Sequence, residues 1–322
     1  MRQPAKMPSI WRFALLAAVL LTLGSGALHA APKSAKSPPQ PPPAEEPLPP
    51  ELTPERQEAR IAAEIAHMPA TNGGTPQVFF VGFAGYGEQG VFRKEAELAR
   101  HVLGGHFGAG QRAITLVNDV HDRDHYALAT FENLRYAVKL IGQRMDPTRD
   151  VLVLMLTSHG SPEDGIAVTN GEVVDDDLSP KDVREILDGA GIRWRIIVAS
   201  ACYAGIFIKP LKNDSTLIAT AADAHHSSFG CADDRDLTYF GEALLKDSLP
   251  GSCSLEQAFD AARDIIKTRE REEGEVHSHP QIYVGSRMRE KLAALEGVSP
   301  PALAAAGREP SGSSACGAPR AR

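Results

Sequence analysis

Four cysteines stand in 322 residues, and none shares a zinc-ligand spacing with the histidines. His225 and His226 with Cys231, or His277 with His279, match no standard ligand set, so neither a metal nor another cofactor is expected. Positive charge is also scarce. Lys and Arg number 34 against 41 Asp and Glu, a formal charge of −7 that argues against a nucleic-acid partner. The apolar stretch Phe13 to Leu23 is eleven residues, well short of the ~20 that a bilayer span takes. No internal repeat is present, which leaves out a solenoid.

The N-terminus has a different logic. Arg2, Lys6 and Arg12, that short apolar stretch, and Gly24, Ser25 and Gly26 read as a signal peptide over residues 1–30, cleaved after Ala30. The expected product is exported, periplasmic or secreted, with no stable membrane insertion. Loss of three cationic residues and no acidic ones takes the charge from −7 to −10. No cysteine adjoins the cleavage region, so a lipid anchor has no attachment point. Residues 31–55 are Pro-rich and read as a disordered linker, and residues 298–322 as a disordered tail of Pro, Ala, Gly and Ser. Residues 56–297 remain as a single folded domain. An exported chain permits disulfides, and if Cys202 is kept for chemistry, Cys231 with Cys253 is the plausible pair.

Within 56–297, short apolar runs alternate with helical periodicity. Gln77 to Phe83, Ala113 to Asn118, Val151 to Thr157, Arg195 to Ala201 and Thr216 to Ala221 are continuous enough to be strands buried on both faces. Ala99, Val102, Leu103 and Phe107 mark one helix face; Phe131, Leu134, Val138 and Ile141 mark another. Ser179, Pro180 and Asp182 punctuate the start of a third helix, and Ser254 with Gln257 the start of a fourth. Alternating βα units predict an α/β fold: a mostly parallel sheet with helices on both faces.

Two of these strands end in reactive side chains, VLVLMLTSHG at His159 and RIIVASACYAG at Cys202. In such a sheet the ligand crevice lies beyond the strand carboxyl ends, so both residues are expected on one rim. An imidazole beside a thiol makes a thiolate nucleophile near neutral pH, the chemistry of a cysteine peptidase or acyl transferase. Each is followed by small or flexible residues, Gly160-Ser161 and Tyr203-Ala204-Gly205, as needed where backbone N–H groups must approach a substrate carbonyl. Taken singly, a surface histidine and an inert buried thiol remain the ordinary readings.

The blocks FFVGFAGYGEQGVFRKEAELA near Phe79, LTSHGSPEDGIAV at Leu156, SACYAGIFIKPL at Ser200 and TLIATAADAHHSSFGCADDRDLTYFGEA at Thr216 together resemble the legumain family, peptidase family C13, of the caspase-like cysteine peptidases. That resemblance implies a caspase-like fold and an endopeptidase acting on a peptide or protein substrate, after Asn or Asp. It implies Cys202 as nucleophile, His159 as base, and the Gly160 and Cys202 N–H groups as oxyanion donors. Arg93, Glu242, Ser227 and Ser228 match substrate-binding positions. The family's second pocket acid lies two residues before the nucleophile, and this chain has Ser200 there. A less acidic pocket makes Asp or small residues better accommodated. The same dyad would serve a transpeptidase or ligase if an amine took the acyl group, and a non-catalytic member would bind peptides as a pseudopeptidase.

Overall fold

The computed structural model describes residues 48–297 except 72, 172 and 233. The expected signal peptide, the linker up to residue 47, the tail and Cys316 lie outside the described residues.

Nine strands and eight α-helical segments occur among them. A six-stranded sheet runs in the order β2 (Ala113–Val117), β1 (Val78–Ala84), β3 (Val151–Thr157), β7 (Trp194–Ser200), β8 (Thr216–Thr220), β9 (Gln281–Val284). All neighbours are parallel except β9, which returns antiparallel to β8. A small antiparallel sheet of β4 (Gly160–Ser161), β5 (Gly165–Thr169) and β6 (Asp175–Leu178) grows from the end of β3.

Alternation along each strand divides the core in two. Phe79, Val81, Leu152, Leu154 and Ile197 point to one face, against α1 (Pro54–Ala66), α3 (Phe131–Gly142) and α4 (Pro180–Gly189). Phe80, Val153, Ile196 and Leu217 point to the other, against α2 (Gly90–His106), α7 (Leu255–Glu273) and α8 (Ser286–Glu296). Every residue of β1, β3 and β7 is therefore buried, which is why these segments read as unbroken apolar runs. Each fully buried Phe, Leu or Ile contributes about 1.5–3 kcal/mol. The short segments α5 (Ile208–Leu211) and α6 (Tyr239–Gly241) complete the helices, α6 running into a π-helical stretch, Glu242–Ser248.

Ser179 begins α4 with a full capping box: its hydroxyl accepts from Asp182 N–H, and the Asp182 carboxylate accepts from Ser179 N–H at 3.0 Å. At α7 the exchange is modified. Ser254 accepts from Gln257 N–H, whereas the Gln257 side chain accepts from Cys253 N–H.

Two expectations are corrected. Ordered chain reaches back before residue 56: α1 starts at Pro54, and Leu52 is only 3% exposed because it packs into the domain. Cys231 is a free thiol, so the pair with Cys253 does not form. The architecture is the mixed α/β one expected, consistent with the caspase-like fold.

Candidate active site

Register brings the two reactive residues to neighbouring positions. In the parallel pair β3–β7, Thr157 stands opposite Ser200, so His159 and Cys202 each lie two residues beyond a paired position. The ladder continues past the strands, with Ser158 N–H donating to Ser200 O at 3.2 Å. Gly160 then abuts the backbone of Cys202 so closely that a Cβ there would overlap the Cys202 carbonyl oxygen. The small sheet holds this corner. Ala167 N–H donates to His159 O at 3.0 Å, and Ser158 Oγ donates to Ala167 O at 2.6 Å.

His159 is half-buried, with the ring edge-on to Tyr86 and Phe92 at centroid separations of 4.6 and 5.1 Å. Burial pushes its pKa below the usual imidazole value, because the cation loses solvation with no carboxylate to replace it. Its Nε2 lies 2.7 Å from Gln89 Oε1. With an amide oxygen as partner, Nε2 carries the proton and Nδ1 is the free base. Gln89 is the residue that precedes α2, so that helix start fixes both the tautomer and the plane of the ring. Gln89→Ala is expected to lower the rate of Cys202 alkylation by roughly tenfold at neutral pH, with little change in melting temperature. Stopped-flow alkylation checks this, and an unchanged rate would separate Gln89 from the site.

Cys202 is half-buried, beneath the loop that follows β8. Ser228 N–H approaches Sγ at 3.3 Å and Ser228 Oγ at 3.8 Å, while the thiol donates to Ser228 O at 3.4 Å. Ser228 therefore holds the sulfur through both its N–H and its carbonyl oxygen. The chain turns sharply after the thiol: Tyr203 adopts a left-handed conformation with φ of 56°, and its N–H donates to His226 O at 2.9 Å. Ser227 Oγ lies 3.3 Å from Tyr203 OH. Ser227 and Ser228 thus flank the thiol on the same loop.

The other expected substrate contacts are engaged elsewhere. Arg93, on α2, donates from Nε to Asp119 Oδ2 at 2.7 Å and from a terminal nitrogen to Glu97 at 3.0 Å. The Asp119 bond heads the causes that raise its pKa above the usual guanidinium value. Glu242 is surrounded by Arg269, Arg235 and Lys246 at 2.8, 2.9 and 3.0 Å. The structure does not pair Arg93 with Glu242. Ser200 is 2% exposed, and its hydroxyl lies 3.2 Å from that of Thr238.

Sequence reasoning singled out none of Tyr86, Gln89, Phe92, Glu95 or Asp119. All but Asp119 lie in the block around Phe79, where their only signal was position between a strand end and a helix start. Two of the histidines weighed as metal ligands have carboxylate partners instead: His226 Nδ1 with Asp223 at 2.8 Å, and His277 Nδ1 with Glu270 at 2.5 Å. Among the described residues no three such donors are arranged to hold a metal, and no helix is long and apolar enough to cross a membrane.

No curated protein matches the chain. The model of the peptidase C13 family matches residues 138–291. This span contains His159, Gly160, Ser200, Cys202, Ser227, Ser228 and Glu242, and leaves Gln89 and Arg93 outside. Such a family carries cysteine peptidase or related hydrolase activity on protein substrates. With this match across a mostly parallel sheet, in which a strand-end His-Gly stands beside a strand-end Ala-Cys, the chain is similar over residues 138–291 to the peptidase C13 family.

Proposed function

We propose that this protein is a cysteine endopeptidase in which His159 and Cys202 form the catalytic dyad. The observation that carries the reading is the β3–β7 register, which sets both residues two positions beyond a hydrogen-bonded strand pair on one rim. In this mechanism Nδ1 of His159 takes the thiol proton and the thiolate attacks the scissile carbonyl. The N–H groups of Gly160 and Cys202 stabilise the resulting oxyanion. Protonated His159 gives its proton to the leaving amine, and water then hydrolyses the thioester. Lowering of the imidazole pKa by burial supports the assignment of base, since it keeps His159 unprotonated at neutral pH.

Ser227, Ser228 and Ser200 contact the side chain before the scissile bond. Arg93 and Glu242 join them if substrate draws each from its present partners. Asn or Asp at that position fits a site with hydroxyls and one guanidinium. The N-terminal apolar stretch supports export, so the enzyme acts in the periplasm or outside the cell.

Thiol reactivity tests the dyad in the intact chain. Iodoacetamide at about pH 6 is expected to modify Cys202 well before Cys231, whose pKa is raised by burial. Peptide mapping by mass spectrometry reads both sites. Equal labelling of the two thiols would leave Cys202 an ordinary cysteine and defeat the reading.

A further inference from the structure

Beneath the catalytic rim lies a carboxyl group that the mechanism above does not use. Glu95 belongs to α2 and is 0% exposed. The hydroxyls of Ser200, Thr238 and Thr157 surround its carboxyl, yet neither oxygen has a hydrogen-bond partner of good geometry. Its side chain also fills the space over Gly241, where a Cβ would lie 2.6 Å from the carboxyl carbon. Thr157 and Ser200 are the paired final residues of β3 and β7. The group therefore sits directly under the strand ends that lead to His159 and Cys202. A fully buried carboxyl without partners is costly, and such groups concentrate where their titration is used.

We propose that Glu95 is a positioning residue for substrate selection: through the Ser200 and Thr238 hydroxyls, its proton sets whether the crevice accepts a carboxylate or a neutral amide before the scissile bond. This rests on the peptidase reading above.

The polarity of the hydroxyls supplies the mechanism. Thr238 Oγ1 accepts from Gly241 N–H at 2.9 Å and lies 3.2 Å from Ser200 Oγ, so its own proton goes toward Ser200 or toward Glu95. A protonated Glu95 donates to this pair, and a hydroxyl proton is then free to meet a carboxylate oxygen of the substrate. An ionised Glu95 draws the hydroxyl protons to itself. Lone pairs then face the crevice, which suits an amide N–H, and the added charge repels a carboxylate.

Burial raises the carboxyl pKa to about 7, so both forms are accessible near neutral pH. Other charged groups around it leave that switch intact. On α2, Arg93 is paired with Asp119 and Glu97, and Lys94 with Asp236. Glu242, next to Gly241, is neutralised by Arg235, Lys246 and Arg269. On the loop after β8, Cys231 is a thiol whose pKa is raised chiefly by burial, then by Cys202 and Glu95. From the sheet, the titratable groups at hand are Cys202, two residues beyond Ser200, and His159, two beyond Thr157, whose pKa is lowered by burial.

Two matched peptides, with Asp or Asn before the scissile bond, test this with the full chain between about pH 5.5 and about pH 8.5. The ratio of kcat/KM for Asp over Asn is expected to fall roughly tenfold in the wild type as two carboxylates come to share one site. In Glu95→Gln the ratio should hold within about twofold. Ser200→Ala keeps the buried carboxyl but cuts its link to the crevice, so its ratio should also stay flat.

Melting temperatures provide a second readout, independent of activity. A carboxyl raised from 4.5 to about 7 holds its proton more tightly when folded, so its contribution is complete below 4.5 and is lost as pH rises through that window. The wild type and Ser200→Ala should show that loss, and Glu95→Gln should not. An equal fall of the selectivity ratio in Glu95→Gln, or a wild-type ratio indifferent to pH, would overturn the proposal while the peptidase reading stood. If the wild type cleaves neither peptide, both fall, whatever the melting curves show.

Discussion

Cys202→Ala is expected to lower peptide cleavage by about 10³-fold or more while leaving the fold in place. The size follows from the role: without a nucleophile no thioester forms, and the remaining oxyanion donors only orient the scissile carbonyl. The modest structural cost follows from the contacts. Sγ is half-buried, and its hydrogen bonds run to Ser228 alone. Truncation leaves one loop N–H short of a partner, a cost of about 1 kcal/mol, or about 2–4 °C in melting temperature. His159→Ala should match it in activity, and the double variant should be no worse than either single one, because two groups that pass one proton act as a unit. Progress curves with a fluorogenic peptide, beside thermal melts, measure both. Activity retained in Cys202→Ala would end the assignment and move attention to Cys231, the other free thiol among the described residues.

The legible parts of this chain were those in which a single physical requirement shapes a contiguous stretch. Val151 to Thr157 shows its boundaries in sequence because burial on both faces demands an unbroken apolar run, and the structure ends β3 at the same residue. Ser179, Pro180 and Asp182 were legible because a helix start needs its N–H groups satisfied locally. Elements held by distant contacts were not. The strand β6 is Asp-Asp-Asp-Leu, with its three acidic residues exposed, and only pairing with β5 makes it a strand. Strand β9 is partly exposed at the sheet edge and lacks the apolar run of its neighbours. The site divides in the same way. His159 and Cys202 announce themselves at the ends of readable strands, whereas Gln89 touches His159 across 70 positions of sequence. Arg93 and Glu242 were matched by position to one pocket, yet each carries a charge that nearer partners neutralise. Residue type does not reveal which of several ions a flexible side chain will choose.

Gly160→Ala is expected to damage stability and catalysis together, which distinguishes it from the dyad variants. The new methyl group would overlap the carbonyl oxygen of Cys202, and it would also lie 3.2 Å from the Ala201 side chain and 3.3 Å from the Cys202 carbonyl carbon. Relief by a small shift is blocked on both sides. Ser158 N–H is bonded to Ser200 O, His159 O accepts from Ala167 N–H, and Gly160 itself pairs with Ile166. The ends of β3 and β7 must therefore separate, at a cost of about 1–3 kcal/mol for the overpacking. That separation moves His159 away from Cys202 and displaces the Gly160 N–H from the developing oxyanion. An error of even ~1 Å in such a constellation lowers the rate by about 10²-fold. Gly105→Ala is the matched control: nothing lies within 4 Å of the added methyl, and inside α2 alanine is favoured over glycine by about 0.5–1 kcal/mol. Melting curves and Cys202 alkylation rates measured on both variants decide the matter. A Gly160→Ala chain that melts and reacts like the wild type would mean that the two strand ends are not in the contact on which the dyad depends.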